Sequence, residues 1–267
     1  MGREELKQVF EETKRLYTTD SVLKDSIKNS IKLQGVFLES ESVTKFEDKN
    51  EKPVKIIVSQ RKTLEAAEHY KGKLVCVHNF ASARRAGGGV ENGSTAQEEC
   101  ICRCSTLYPC LRSDEPYKKF YRPHNSNRDY LNNDDCIYTP DVTVFRKDDK
   151  KCSLLPKDEW YNVDVITCAA PNLRDNSIHV KMLRELHMKR LRRILDVAKA
   201  HCADVVILGA FGCGVFKNPT DIVASAYREV LKEYKYAFET IEFAVYCTPR
   251  DTSNYDTFKR YLGRQSC

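Results

Sequence analysis

The feature of this chain that most constrains its fold is a series of short, almost wholly apolar segments. The four most apolar are residues 74–77, 163–167, 205–208 and 241–246. Segments this short and apolar are typical of strands that are buried on both faces of a sheet. Longer segments with helical periodicity lie between them, and this alternation predicts an α/β fold in which helices pack against a central sheet.

Helical periodicity is clearest near the N-terminus and in residues 177–200. Apolar side chains recur there every three or four residues, which gives each helix one face for burial. The N-terminal pattern predicts helices at 4–17 and 21–33, with Asp20 capping the second helix and Gly35 ending it.

The predicted elements divide the chain into two parts. Residues 1–52 form an N-terminal helical extension, and residues 53–267 contain the main α/β domain. The stretch 113–135 is polar and rich in Asn. We therefore expect it to be a long excursion from the main domain rather than a domain of its own.

The sequence argues against a membrane-spanning protein and against a secreted one, and it indicates the cellular compartment. No apolar run approaches the roughly 20 residues that a membrane-spanning helix needs, and the charged N-terminus lacks the apolar core of a secretory signal. The 12 cysteines are therefore expected to be reduced thiols in the cytoplasm or nucleus. The net charge of +6 suits an anionic ligand without requiring nucleic acid. We expect a monomer that does not bind membranes.

Four cysteines lie close together in the sequence, at Cys100, Cys102, Cys104 and Cys110. They could form a zinc site or pack as thiols in the core. Structural zinc sites usually combine two pairs of closely spaced ligands, whereas this C-x-C-x-C spacing has no matched second pair. The pattern therefore favours buried thiols.

Two glycine-rich loops follow predicted strands and precede predicted helices. The first contains Gly87–Gly89, and the second, Gly209–Gly214, comes directly after the strand at 205–208. Backbone N–H groups at such places bind anions, and glycine lets the backbone approach a phosphate closely. Neither loop has a Walker or dinucleotide-binding pattern. The loops predict a ligand with a diphosphate, or with a phosphate and a sugar.

Glu98 and Glu99 follow the first loop and allow two interpretations. Thr95 and Glu98 match a capping box at the start of the predicted helix 96–107, and taken alone the pattern favours this structural role. Alternatively, a substrate held by the loop reaches both carboxylates. Their side chains leave the helix about 100° apart. One can then hold a sugar hydroxyl while the other gives a proton to the leaving oxygen of a glycosidic bond.

Three further side chains lie beside the loops. Asn79 ends the strand before the first loop and suits either a sugar contact or a turn. Phe211 and Phe216 flank the glycines of the second loop. We expect Phe211 in the core, whereas Phe216 stays open between a place in the core and stacking on a nucleobase.

Several separated motifs resemble the microbial type of poly(ADP-ribose) glycohydrolase. The family signature is a Gly triplet, six to eight residues and then Gln-Glu-Glu, and Gly87–Gly89, seven residues and Gln97–Glu99 are similar to it. The stretch 79–111, the motif Ala169–Asn172 and the loop Gly209–Phe216 resemble the same family in the same order. The resemblance covers roughly residues 54–265.

This resemblance implies a macrodomain-like catalytic domain, with a mixed central sheet between helices, and ADP-ribose or poly(ADP-ribose) as the ligand. It implies Glu99 as the acid that protonates the leaving ribose oxygen and then activates water, and Glu98 as the group that holds a ribose hydroxyl. It implies no cofactor and no metal. The other residues expected at the substrate are Asn79, Gly87, Gly88, Gly89, Val90, Gln97, Gly212, Cys213, Gly214, Val215 and Phe216.

Two other functions stay open. The same acid and loops would serve a hydrolase of mono-ADP-ribose on a modified protein or nucleic acid, which Lys217 and the basic helix at 177–200 would suit. The other is an ADP-ribose reader without turnover. The paired glutamates argue against a reader, because binding alone needs no general acid.

Overall fold

The structure is a computed structural model that describes residues 1–44 and 46–263. Its seven strands form one mixed sheet flanked by helices, which confirms the predicted α/β class. The strands are β1 (Gly35–Phe37), β2 (Lys55–Ser59), β3 (Val75–Phe80), β4 (Cys136–Val144), β5 (Tyr161–Cys168), β6 (Val205–Leu208) and β7 (Thr240–Ala244). The helices are α1 (Arg3–Thr19), α2 (Ser21–Leu33), α3 (Thr63–Glu68), α4 (Gln97–Cys104), α5 (Leu107–Leu111), α6 (Asp114–Pro116), α7 (Arg122–Asn127), α8 (Val180–Ala200), α9 (Thr220–Val230) and α10 (Ser253–Leu262).

The chain packs as two compact units that interleave in sequence. The predicted domain boundary at residue 52 stays a prediction, because the units are defined by packing and not by independent folding. The first unit comprises Met1–Leu38, Asn79–Arg128 and Asp135–Cys168, and the second comprises Glu39–His78, Asp129–Asp134 and the chain from Ala169 onward.

In the first unit the strand order is β1-β4-β5, and both pairs are antiparallel. β1 was not predicted, and Gly35 begins this strand instead of ending α2. A three-residue strand carries too little periodicity to be recognised, and here β4 supplies its hydrogen-bond partners, with Gly35 opposite Tyr138. The strands predicted at 136–138 and 142–145 are one strand, whose register shifts between Thr139 and Val142. Pro140 lies at this shift and cannot donate to a ladder.

The N-terminal helices pack within the first unit. The Asp20 side chain caps α2, as predicted, by accepting hydrogen bonds from Val22 N–H at 3.0 Å and Leu23 N–H at 3.3 Å. Thr13 on α1 donates to the backbone oxygen of Arg103 on α4 at 2.8 Å. Through that contact α1 supports the helix whose first turn carries Glu98 and Glu99.

The predicted excursion at 113–135 is mostly helical. It contains α6, a π-helical turn at Tyr117–Tyr121 and α7. Two aromatic side chains in this otherwise polar stretch, Phe120 and Tyr121, are buried. The expectation that the stretch is an excursion and not a domain of its own stays a prediction.

In the second unit the strand order is β3-β6-β7-β2, and the described pairs are parallel. All four residues of β6 are buried, as its apolar sequence predicts. Not all basic side chains of α8 are exposed, because Arg190 is fully buried and its Nε lies 3.1 Å from Asp134 Oδ1. None of the described helices has both the length and the apolar character needed to cross a membrane.

Candidate active site

The first glycine-rich loop links β3 to α4, and side chains at the start of α4 hold it in place. Gln97, Glu98 and Glu99 form the first turn of α4, where the partial positive charge of a helix N-terminus favours carboxylates. Gln97 Oε1 accepts a hydrogen bond from Phe80 N–H at 2.8 Å. Gln97 therefore fixes the end of β3, and its predicted contact with substrate stays a prediction.

Glu98 turns back onto the loop, and both of its carboxylate oxygens accept backbone hydrogen bonds. Oε2 accepts from Ser82 N–H at 2.8 Å, and Oε1 accepts from Gly87 N–H at 3.2 Å. The predicted capping box with Thr95 is wrong, because the N-cap of α4 is Ala96, whose side chain makes no capping hydrogen bond. Glu98 does not cap the helix. It accepts hydrogen bonds from loop N–H groups that lie near it only in the folded chain.

Burial raises the pKa of Glu98 to about 8, and the charge of Glu99 adds to the rise. Hydrogen bonds from Ser82, Asn79 and Gly87 act in the opposite direction by favouring the ionised form. Burial dominates because Glu98 is only 3% exposed. Glu98 is therefore mostly protonated at neutral pH.

We expect the free energy of unfolding to fall as the pH rises from about 6.5 to about 8. Below pH 6.5 the opposite trend adds to it, because burial lowers the pKa of His78 to about 3 and that of His187 to about 4, and these rings must take up protons when the chain unfolds. A carboxyl whose pKa is raised on folding stabilises the chain fully below its unfolded pKa of 4.5, and this stability is lost as it ionises through its folded pKa of about 8. Chemical denaturation between pH 6.5 and pH 8 should show a loss of about 2 kcal/mol. Glu98→Gln should remove most of the slope, although its amide nitrogen faces a backbone N–H and lowers stability at every pH. An unchanged slope in this variant would contradict the raised pKa.

Glu99 differs from Glu98 in having one unpartnered oxygen. Its Oε1 accepts a hydrogen bond from Gly89 N–H at 2.8 Å, whereas Oε2 is buried without a hydrogen-bond partner among the residues that the structure describes. A buried polar atom without a partner is costly unless a ligand or water completes its hydrogen bonding. This difference makes Glu99, rather than Glu98, the group suited to meet a substrate oxygen.

The conformation of the glycines brings the loop against both carboxylates. Gly87 and Gly88 have φ values of +72° and +58°, which residues with a Cβ adopt only at a cost. A Cβ at Gly88 would overlap Glu99 Oε1 and lie 3.0 Å from Glu98 Oε2. A Cβ at Gly87 would lie 2.6 Å from the ring of Tyr108. Glycine is therefore required here by close contact as well as by conformation.

Asn79 and Val90, both predicted at the substrate, are buried in the same unit as this loop. Asn79 Nδ2 donates to Thr167 Oγ1 at 3.1 Å, and the Asn79 side chain also hydrogen-bonds to Glu98. Asn79 Oδ1 is buried and has no hydrogen-bond partner within residues 1–44 and 46–263. Val90 begins a short 3-10 turn directly after the glycines. Asn79 thus keeps an acceptor available for a ligand hydroxyl.

Tyr121 is a buried residue near Glu98 that was not predicted from the sequence. Its hydroxyl is buried, and in the described part of the chain it has no hydrogen-bond partner. Burial, and then the charge of Glu98, raise the pKa of Tyr121 well above its usual value, so the hydroxyl keeps its proton. The available signal was the adjacent aromatic pair Phe120 and Tyr121 inside an otherwise polar stretch.

The second glycine-rich loop belongs to the other unit and presents unused backbone donors. It follows β6, and Gly212 has a φ of +76°. Within the residues that the structure describes, the N–H groups of Gly212, Gly214, Val215 and Phe216 donate to no protein acceptor. A run of such free N–H groups is typical of anion-binding turns. This loop is therefore suited to a phosphate group.

The side chains of the second loop differ in their surroundings. Phe211 is fully buried, as predicted, and its ring meets that of His78 edge-on at 4.4 Å. Phe216 is only partly buried, and Val215 is exposed. Burial raises the pKa of Cys213 to about 12, so its thiol stays protonated. Because Phe216 is only partly buried, its ring is accessible to a ligand.

The clustered cysteines pack as thiols. Cys102, Cys104 and Cys110 are buried and Cys100 is partly buried, in agreement with the packing interpretation. Over residues 1–44 and 46–263, no group of three or more His, Cys, Asp or Glu side chains is arranged to hold a metal ion.

Comparison with known proteins gives consistent matches. Residues 5–147 match the family model described as the catalytic domain of microbial-type PARG. The crystal structure of poly(ADP-ribose) glycohydrolase from Thermomonospora curvata is similar with a TM-score of 0.86 and 29% identity, over 97% of this chain and 100% of that one. The enzyme from Deinococcus radiodurans in complex with ADP-ribose has a TM-score of 0.76 and 31% identity, over 90% of this chain and 98% of that one. A search of curated proteins finds no match.

Proposed function

Because the chain belongs to the family of microbial-type poly(ADP-ribose) glycohydrolases, we propose that it cleaves the ribose–ribose bond of the polymer with Glu99 as its general acid and base. The chain is a glycosidase, as membership of this family implies. The assignment of Glu99 is carried by its buried, unpartnered Oε2. Glu98, by contrast, has both oxygens engaged by backbone N–H groups.

The proposed reaction uses Glu99 twice. Glu99 gives a proton from Oε2 to the bridging ribose oxygen as the bond from that oxygen to the anomeric carbon breaks. The leaving ribose takes the electron pair and the proton, and an oxocarbenium-like sugar remains. A water oxygen then bonds to the anomeric carbon, and its proton returns to Glu99. Gly89 N–H holds Oε1 at 2.8 Å throughout and keeps Oε2 directed at the sugar.

Glu98 and Asn79 position the sugar in this proposal. Glu98 holds a hydroxyl of the ribose under attack, and the unpartnered Asn79 Oδ1 accepts a second hydrogen bond from the substrate. The first loop, Gly87–Gly89 with Val90, surrounds the reacting end of ADP-ribose. Close backbone approach is possible there because these glycines lack a Cβ.

We propose that the second loop binds the ligand through its backbone. The free N–H groups of Gly212, Gly214 and Val215 suit a diphosphate oxygen, as does the N–H of Phe216. The partly buried ring of Phe216 stacks on the adenosine end. The free thiols of the described cysteines support a reducing location, in the cytoplasm or the nucleus.

A panel of three substrates tests the reaction. We expect release of ADP-ribose from poly(ADP-ribose) to exceed release from a mono-ADP-ribosylated protein and from mono-ADP-ribosylated DNA, each at matched concentration of ADP-ribosyl groups. Product is quantified by chromatography at early time points. Turnover of only the mono-modified substrates would instead support the alternative hydrolase. Calorimetric binding of ADP-ribose without product from any of them would support a reader.

A further inference from the structure

We infer that Asn218, supported by His187, is a positioning residue that holds the second glycine-rich loop in the shape that binds phosphate. This inference rests on the proposed function of that loop. Asn218 lies two residues after Phe216 and is only 3% exposed. An asparagine buried to this extent has to find partners for its whole amide group, and two of its four partners are in the loop.

The amide of Asn218 binds both ends of the segment with free N–H groups. Its Nδ2 lies 3.1 Å from Gly212 O and 3.3 Å from Phe216 O. The same nitrogen lies 2.7 Å from Pro171 O, and the backbone N–H of Asn218 donates to Gly212 O at 3.0 Å. Carbonyl oxygens only accept, so chemistry fixes which end of the amide is the nitrogen. One side chain thereby sets the curvature from Gly212 to Phe216.

His187 on α8 fixes the other end of this amide. Its Nε2 lies 2.9 Å from Asn218 Oδ1, and since Oδ1 can only accept, Nε2 carries the hydrogen. Burial lowers the pKa of His187 to about 4, so the ring stays neutral. His187 is fully buried, and its ring meets Phe211 edge-on at 6.1 Å. The imidazole therefore cannot turn away from Asn218 without disturbing the core.

Gly212 shows how closely the loop follows Asn218. A Cβ on Gly212 would lie 2.6 Å from Asn218 Nδ2 and 2.7 Å from the Cβ of Ala170. The loop backbone is thus in direct contact with the amide that shapes it. If the amide were lost, the loop that carries the free N–H groups would lose two of its hydrogen bonds.

This role predicts an effect on binding rather than on the chemical step. The diphosphate is remote from the bond that breaks, so its contacts are equal in the bound substrate and in the transition state. Loss of such contacts raises KM and leaves kcat nearly unchanged. A side chain with only a structural role would instead lower the thermal midpoint and the active fraction, and thus kcat, without changing KM.

Asn218→Asp is the most direct variant. It keeps the shape and the acceptor for His187 but replaces the donor to the three carbonyls with a carboxylate oxygen. We expect the Kd for ADP-ribose, measured by calorimetry, and the KM for polymer each to rise by about 10- to 100-fold, with kcat within about threefold. His187→Gln, which can retain the donor, should stay near the parent. His187→Phe, which removes it, should raise Kd.

Asn50→Asp is the matched control. Asn50 Nδ2 also donates to a backbone carbonyl, that of Tyr236 at 3.2 Å, in the same unit but outside the loop. Its variant should lower the thermal midpoint without changing Kd. A folded Asn218→Asp with the parent Kd would overturn the inference, and so would equal Kd values for the two His187 variants if Asn218→Asp does not fold. Failure of the proposed function looks different, because the parent itself would then neither bind ADP-ribose nor hydrolyse polymer.

Discussion

Replacing Glu99 with Gln is expected to lower the turnover of poly(ADP-ribose) by about 10²- to 10⁴-fold. The amide oxygen of Gln can still accept the hydrogen bond from Gly89 N–H, so the loop should keep its conformation. What is lost is the exchangeable proton at the position of Oε2. Affinity for ADP-ribose should therefore stay within a few-fold of the parent. Initial rates on polymer and calorimetry with ADP-ribose measure the two quantities.

Glu91→Gln is the control for this experiment. Glu91 follows the same glycines, but its carboxylate is exposed and accepts a hydrogen bond from the Tyr108 hydroxyl at 2.8 Å. Its variant should turn over polymer at close to the parent rate. Parent-like turnover in Glu99→Gln would remove Glu99 from the reaction, and an equal loss in both variants would point to the loop rather than to the acid.

Gly88→Ala is expected to reduce turnover at least as severely and to destabilise the chain as well. The added Cβ would overlap Glu99 Oε1 and lie 3.0 Å from Glu98 Oε2, at a φ of +58°. The two carboxylates are buried and hydrogen-bonded to the loop, so they can move away only by breaking those bonds. We expect a loss of about 100-fold or more in kcat/KM and about 1–3 kcal/mol in the free energy of unfolding. Kinetics and chemical denaturation measure these changes.

Gly72→Ala is the control for Gly88→Ala, because it tests the cost of a positive φ without any steric contact. Gly72 also has a positive φ, +91°, but a Cβ there meets no atom within 4 Å. Its variant should lose stability through conformation alone and keep its turnover. If Gly88→Ala lost no more stability than Gly72→Ala and remained active, the close approach of the loop to the glutamates would be irrelevant to catalysis.

Local pattern was sufficient to predict much of this fold. β6 lies at the residues that its apolar run indicates, and Asp20 caps α2 as its position suggests. Both features depend on neighbours in sequence. The resemblance to the glycohydrolase family, tied to Gly87–Gly89 and Glu98–Glu99, led to the right family for the same reason, since its signature is contained in one short stretch.

Features that depend on distant contacts were not predictable from such patterns. The capping interpretation of Glu98 failed because its partners are Ser82 N–H and Gly87 N–H, which only loop closure brings to the carboxylate. The hydrogen bond between His187 and Asn218 joins residues that are 31 apart in the sequence. Neither residue belongs to a sequence motif with a recognisable spacing. The role of such a polar side chain can be assigned only when its hydrogen-bond partners are known.

The buried position of Glu98 also governs the charge that a ligand meets. With its pKa raised to about 8, Glu98 is mostly neutral at neutral pH, and the glutamate pair carries less negative charge than its sequence suggests. ADP-ribose is a dianion, and like charges repel strongly where water is excluded. In the proposed complex, a neutral Glu98 would let two carboxyl groups stand at the sugar without repelling the diphosphate. The net charge of +6 adds attraction at longer range.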